Sequence, residues 1–303
     1  CMETDLGTGG WGRAGESGGG GRMQRTGRRR GRGAEFTIRA MSDDLNGNPA
    51  VEAGFGRVRM VLVGTQHPGN IGSAARALKT MGLSRLVLVA PERFPHAEAD
   101  ALAAGAGDLL ETARVLDDPA EAVADCRLVL GCTARDRRIA LPMLSPREAA
   151  AQAAEAARAG GEVALLFGRE RTGLDNAELQ LCHAAVHIPA NPGYSSLNLA
   201  AAVQVLAYEL RLALLAPPPG KEAGTGDEGQ GEPPATHAQL EGLFAQLADT
   251  LDAIDFHKGR APESAMRKLR RLFLRAGLNE REVRLLRGVL ADARRMARIA
   301  SGR

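Results

Sequence analysis

Gly64-Thr65-Gln66-His67-Pro68-Gly69-Asn70-Ile71-Gly72 joins a β-branched run that opens at Arg57 to an alanine-rich stretch that ends at Gly82. A strand, a glycine-rich turn and a helix follow one another, with Gly82 placed to close the helix as its C′ residue. Outward from this unit the same alternation continues, the pattern of a parallel sheet with crossover helices. Strands are expected at 57–64, 85–90, 113–116, 127–132, 162–167 and 184–189, and helices near 71–81, 97–105, 119–124, 146–159, 175–181 and 197–215. Ser145 with Pro146 and Glu148, and Asp175 with Glu178, place a cap and its reciprocal partner three residues apart at two of the helix starts.

The turn itself suits an anion or nucleotide, because free backbone N–H groups and the helix dipole face whatever sits there. It lacks G-K-[ST] and the spacing of G-x-G-x-x-G, which disfavours an ATP or nicotinamide enzyme. A purely structural tight turn accounts for it equally well. A second string, Leu165-Leu166-Phe167-Gly168-Arg169-Glu170-Arg171-Thr172-Gly173-Leu174, follows the fifth strand. Gly168 permits close approach of a ligand at the strand edge where open α/β sheets bind, although a salt-bridged loop explains the charges too. A third, Ile188-Pro189-Ala190-Asn191-Pro192-Gly193-Tyr194-Ser195-Ser196-Leu197-Asn198-Leu199, precedes the last helix of the sheet domain. Ser195 and Ser196 are natural N-caps, but Asn198, in the first turn of an apolar helix, calls for a defined partner.

Bulk properties narrow the classes. With 303 residues and 44% hydrophobic content the chain can bury a full core. Its longest apolar stretch, Leu197 to Leu215, carries Asn198, Gln204, Glu209 and Arg211, so no membrane span is expected. Cys1, Cys126, Cys132 and Cys182 lack C-x-x-C spacing and read as buried thiols of a reduced cytoplasm. Only His183 and His187 stand four apart, with no third ligand evident, so no metal is expected. There is no G-x-S-x-G elbow and no Cys/His signature for acyl chemistry.

Charge and composition divide the chain. Residues 1–54 are rich in Gly and Arg and read as a disordered extension, within which Met41 offers an alternative start of translation. Residues 55–216 form the α/β domain. Residues 217–235, around PPPGKEAGTGDEGQGEPP, have the composition of a flexible linker. Residues 236–303 form a small all-helical domain, opened by Thr236 with Gln239 and divided by the capping pair Asn279 and Glu282. From residue 257 to the end, 14 Lys/Arg stand against four Asp/Glu, although the whole chain carries only +3. An acidic body with a basic tail grips a polyanion through the tail, unless that tail is simply a solvated helical surface.

The three strings, in this order and on these strand ends, resemble the motifs of the SPOUT methyltransferases. Asn70-Ile-Gly-Ser-Ala-Ala-Arg76 with Lys79-Thr-Met-Gly82, Phe167-Gly-Arg-Glu170 and Asn191-Pro-Gly-Tyr-Ser-Ser-Leu-Asn198, continuing to Tyr208 and Glu209, are similar to the bacterial tRNA (cytidine/uridine-32) 2′-O-methyltransferases of the TrmJ type. The resemblance implies a SPOUT fold with a deep C-terminal trefoil knot. It further implies a homodimer, S-adenosyl-L-methionine as cofactor, and tRNA as substrate. Carried over motif by motif, the cofactor pocket takes in Cys132, Thr133, Ala134, Gly168, Arg169, Ile188, Ser195, Ser196 and Leu197. Relatives often have Thr-Ser-Ala where this chain has Cys132-Thr133-Ala134. The catalytic set implied is Arg76, Asn70, Glu170, Ser196 and Asn198, with Ser196 and Asn198 orienting Arg76 or the nucleotide.

A guanidinium offers only donors and no acceptor, which makes Arg76 a poor base, so it is assigned first to positioning phosphate and hydroxyl. The tail is expected to contact RNA phosphates through Arg267, Lys268, Arg270, Arg271, Arg284 and Arg287. Competing readings are the same reaction at another tRNA position or on rRNA, and a non-catalytic RNA-binding module that keeps the fold.

Overall fold

The structure is a computed structural model that describes residues 49–134, 141–217, 232–258 and 261–300. Its centre is a seven-stranded sheet made of β1 (Val58–Val63), β2 (Arg85–Val89), β3 (Arg114–Leu116), β4 (Cys126–Cys132), β5 (Met143–Leu144), β6 (Glu162–Phe167) and β7 (Ala184–Val186). The spatial order is β3-β2-β1-β6-β4-β7-β5, and every pairing between these strands is parallel. The six expected strands are all present, with ends within about three residues of their expected limits. The two-residue β5 was not expected. It is too short to show a period and is ordered through its pairing with β7.

Period-two alternation divides the core. Met60, Leu62, Leu86, Leu88, Leu165 and Phe167 face one side, with α2 (Pro68–Thr80), α3 (Ala97–Ala103), α6 (Pro146–Arg158) and α8 (Leu199–Leu215). Val61, Val63, Val87, Val89, Ala164 and Leu166 face the other, against α5 (Pro119–Val123) and α7 (Asn176–Gln180). Strands buried on both faces are apolar runs, which is why β1 and β6 were legible as strands. The one charged side chain within β1, Arg59, is wholly buried. It ties β1 to β6 and to the residue that precedes β4 by bonding Asp125 at 2.7 and 2.8 Å and Glu162 at 2.8 Å.

The helix ends follow the sequence signals closely. Leu83 N–H reaches Leu78 C=O at 2.9 Å and Gly82 N–H reaches Lys79 C=O at 3.1 Å, with Gly82 at φ +78°, which is a Schellman close of α2. Reciprocal capping boxes stand at Ser145/Glu148 and Asp175/Glu178. Gly72 is required for packing, since a Cβ there would lie 2.0 Å from the Ala99 carbonyl oxygen on α3.

Two boundaries differ from the expectation. The helix α1 (Pro49–Gly56) lies partly inside the stretch assigned to the N-terminal extension, whose residues 1–48 lie outside the described residues. It is ordered by packing that glycine-rich composition does not reveal: Phe55 sits under Arg211 of α8, and Gly54 lies against Leu214. At the other end, residues 218–231 of the expected linker lie outside the described residues, but residues 232–235 already belong to the tail. Ala235 is buried, its N–H bonds Leu278 C=O at 2.9 Å, and Pro234 bridges to Asn279. The tail comprises α9 (His237–Ala253), α10 (Pro262–Ala276) and α11 (Glu280–Ala300) around Leu240, Leu243, Phe244 and Val283. Short α4 (Gly107–Glu111) completes the helices of the described residues.

Candidate active site

Strand register decides where the candidate residues meet. Leu62 pairs with Phe167, Phe167 with Cys132, and Cys132 with Val186, so β1, β6, β4 and β7 end in one row. The segments leaving that row share the C-terminal edge of the sheet, where open α/β folds bind ligands. A cavity of about 300 Å³ opens there, lined by Cys132 at the end of β4 with Thr133 and Ala134, by Phe167 at the end of β6 with the residues through Gly173, by Ile188 after β7, and by Ser195, Ser196 and Leu197 before α8. Cys132, Thr133, Ala134, Gly168, Arg169, Ile188, Ser195, Ser196 and Leu197 therefore all reach one cavity, together with Glu170. Gly168 has no room for a side chain, since a Cβ would lie 2.1 Å from the backbone of Gly173 and Leu174. The 168–173 loop thereby folds back on itself, with Gly173 N–H bonding Arg169 C=O at 2.8 Å.

Beside the cavity runs a polar relay whose direction follows from chemistry. Glu170 accepts from Gln66 N–H and His67 N–H at 3.1 Å each, and from Asn70 Nδ2 at 2.9 Å. Because a carboxylate only accepts, the Asn70 amide must present Nδ2 to it and turn Oδ1 away. That Oδ1 accepts from Asn198 Nδ2 at 2.8 Å, which leaves Asn198 Oδ1 for Ala200 N–H at 2.8 Å and Ala201 N–H at 3.3 Å. Asn198 is thus the N-cap of α8, the position for which Ser195 and Ser196 were candidates. Both serines line the cavity instead. Burial pushes the Glu170 pKa up, but the bonds from Asn70, Gln66 N–H, its own N–H and His67 N–H outweigh that and hold the carboxyl below its ordinary value.

Arg76 stands apart from the relay. It is exposed on α2, six residues beyond Asn70, which turns it about 120° around the helix from that side chain. Its guanidinium makes no hydrogen bond or ion pair among the described residues. Asn198 bonds Asn70 and the helix end, with one N–H of its amide directed to Asn70 Oδ1, and makes no bond to Arg76 among the described residues. Arg169 lines the cavity, yet its guanidinium is tied to Glu178 at 2.9 and 3.2 Å and packs across Gly64, where a Cβ would approach Nε to 2.6 Å. The cavity-lining Leu199 and Ala202, and the N–H donors of Gln66 and His67, were not singled out from sequence. The expected capping chemistry near Asn198 was the available signal for the first two. Burial pushes the Cys132 thiol up to about 12, so the sulfur in the wall stays protonated and apolar in behaviour.

The tail cations fall into two groups. Arg270 is engaged internally, doubly bonded to the Glu241 carboxylate, donating to Gln180 C=O at 3.3 Å and lying 4.6 Å over the Phe244 ring. Arg284 pairs with Glu232 at 3.3 Å, and Arg287 donates to Gln246 at 2.9 Å. Arg267, Lys268 and Arg271 are exposed and enter no ion pair among the described residues. The expectation that all six face RNA holds no longer for Arg270, whose charge is spent on holding helices together.

Comparison with known proteins covers both domains. The model of the SpoU rRNA Methylase family matches residues 57–208, and that of the tRNA methyltransferase TrmJ C-terminal domain matches residues 238–302. The tRNA (cytidine/uridine/adenosine-2′-O-)-methyltransferase TrmJ of Pseudomonas aeruginosa is 51% identical over 245 residues, which span 80% of this chain and 95% of that protein. The tRNA (cytidine/uridine-2′-O-)-methyltransferase TrmJ of Escherichia coli K12 is 51% identical over 236 residues, 78% of this chain and 94% of its own. The crystal structure of TrmJ from Z. mobilis superimposes with a TM-score of 0.65 at 37% identity, covering 77% of this chain and 97% of that one.

Proposed function

Because this chain belongs to the SpoU methylase family and carries the TrmJ C-terminal domain, we propose that it 2′-O-methylates the ribose of a pyrimidine in the tRNA anticodon loop, cytidine or uridine 32, with S-adenosyl-L-methionine as donor. The observation that carries this reading is the convergence of four strand ends on one cavity with a fixed amide relay along its rim. The residues present fit the cofactor. A volume of about 300 Å³ is at the lower bound of small-molecule sites, and Phe167, Ile188 and Leu197 supply apolar walls. When bound, the cofactor supplies a methyl group already activated on a sulfonium.

The chain's own contribution is then alignment and exclusion of water. Cys132, Thr133, Ala134 and Ile188 line the cavity together with Ser195 to Leu197. Glu170 is a positioning residue rather than a base: three donors occupy its carboxylate, and its pKa is lowered, away from the value a general base needs. Through Asn70 and Asn198 it fixes where α8 starts, and hence where Ser196 stands at the cavity rim. Arg76, exposed and uncommitted, takes the RNA phosphate beside the reacting ribose. The chain leaving β7 for α8 is read as the trefoil knot, which brings Ile188 and Leu197 to the same cavity. A homodimer is supported by α11, where Leu285, Val289, Met296 and Ile299 are all more than half exposed. Among the described residues no helix is long and apolar enough to cross a membrane. Action on tRNA in the cytoplasm belongs to the same reading.

The TrmJ-type tail favours tRNA over the rRNA of the family's description. Incubation with methyl-labelled S-adenosyl-L-methionine and either unmodified tRNA or rRNA tests this. Label in tRNA, recovered as a 2′-O-methylnucleoside, is the expected result, and label in rRNA alone contradicts it.

A further inference from the structure

We propose that the seam between the sheet domain and the tail is itself a phosphate-binding cleft, built jointly by α7 and α10 to grip the backbone of the RNA substrate. The inference rests on the functional reading above and names a site within it. A second cavity of about 250 Å³ lies at this seam, with Asn176 and Gln180 on the α7 side and Ser264, Arg267, Lys268 and Arg271 on the α10 side. No Asp or Glu lines it among the described residues. Three of its cations have no carboxylate partner there, whereas elsewhere in the tail Arg294 pairs with Asp249 and Arg295 with Asp292. The counter-charges lie just outside it: Glu241 is taken by Arg270, the fourth cation of the lining, and Glu263 lines the adjoining hollow that shares Gln180 and Arg267. An excess of like charge in a concave site raises the local concentration of a polyanion, and neutral donors such as Asn176 and Ser264 add direct bonds to phosphate oxygens.

The walls of this cleft are held in place. Arg270, on the same helix, is clamped to Glu241 of α9 and to Gln180 C=O of α7, so the cations of α10 are presented at a fixed distance from the sheet domain. Ala238 N–H also bonds Ala124 C=O at 3.0 Å across the seam. The cleft is close to the first cavity along the chain. Gly173 lines one and Asn176 the other, and three residues span at most about 11 Å. In this proposal one strand of RNA reaches both, with its reacting ribose at the sheet edge and a nearby phosphate at the seam. The tail in this arrangement reads position along the strand together with the sheet domain, rather than acting as a remote basic anchor.

The test measures tRNA binding by full-length protein as a function of salt. Arg267→Ala/Lys268→Ala/Arg271→Ala is expected to weaken binding about tenfold or more and to reduce the slope of log affinity against log salt by about 2 to 3. Asn176→Asp, on the sheet-domain wall, is expected to weaken binding as well, since it adds an anion to the cleft. Arg294→Ala/Arg295→Ala, whose cations are already paired, is expected to leave the slope within about one unit of wild type. Unchanged thermal melting and S-adenosyl-L-methionine affinity show that each variant is folded. Wild-type affinity in the triple variant overturns the cleft, and so does loss in the triple variant without loss in Asn176→Asp, which would make α10 an open basic surface. Wild-type protein that methylates tRNA while the variants behave normally overturns only this inference. Wild-type protein that neither binds nor methylates tRNA overturns the functional reading.

Discussion

At the scale of single residues the account rests on Asn198, which serves both as helix cap and as the last link to Glu170. Two substitutions separate these duties. Asn198→Asp keeps an oxygen for Ala200 and Ala201 N–H but places an acceptor opposite Asn70 Oδ1, so methyl transfer is expected to fall at least about tenfold while the melting temperature changes little. Asn198→Ala loses both and is expected to cost about 1 kcal/mol of stability in urea unfolding as well. Equal activity in Asn198→Asp and wild type would show that the relay does not matter. Arg76 gives a complementary prediction: Arg76→Ala is expected to abolish transfer to tRNA with cofactor affinity preserved in calorimetry, because its guanidinium makes no contact within the described protein that its loss would break. Asn198 and Glu170 were readable from sequence as polar residues in suspect places, and Asn70 entered through the family resemblance. Their mutual bonding was not, because 128 positions separate Asn198 from Asn70 and only the strand order brings them together.

At the scale of elements, the local signals were strong where the chemistry is local. Capping pairs at Ser145/Glu148, Asp175/Glu178, Thr236/Gln239 and Asn279/Glu282 all form, and Gly82 closes α2. What sequence missed depends on tertiary context: α1 is held by α8, β5 by β7, and Ala235 by Leu278. The 168–173 loop belongs with these, for Gly168 was recognised as a point of close approach but the thing approached is the loop's own Gly173. Gly168→Ala is therefore expected to destabilise the fold by about 2 kcal/mol or more, since backbone rather than a mobile side chain must move, and to weaken cofactor binding in the same sample. A variant with wild-type stability and cofactor affinity would contradict the packing described for this turn.

For the whole molecule, the seam between sheet domain and tail is the place where solution conditions act on structure. Burial, and then the proximity of His237, lowers the His183 pKa to about 4, and burial lowers that of His237 against the opposing pull of Glu241. Unfolded histidine titrates near 6.5, so between about pH 6.5 and 4 the unfolded chain binds a proton that the native His183 does not. Stability is expected to be level above pH 6.5 with respect to this group and to fall as pH drops towards 4. His183→Gln is expected to flatten that fall, as read from urea midpoints at successive pH values, and an unchanged profile would contradict it. The basic tail, legible as a charge imbalance, carries its function only once its paired cations are set apart from those left free at the seam. All of this serves one claim about chemistry, that an edge built from four strand ends methylates a ribose of tRNA. The direct measurement is mass-spectrometric mapping of tRNA from cells lacking this protein, before and after treatment with the purified enzyme and S-adenosyl-L-methionine. Loss of 2′-O-methylation at pyrimidine 32, and its restoration by wild type but not by Arg76→Ala, is the predicted result; an anticodon loop modified identically in the presence and absence of the protein would contradict the account.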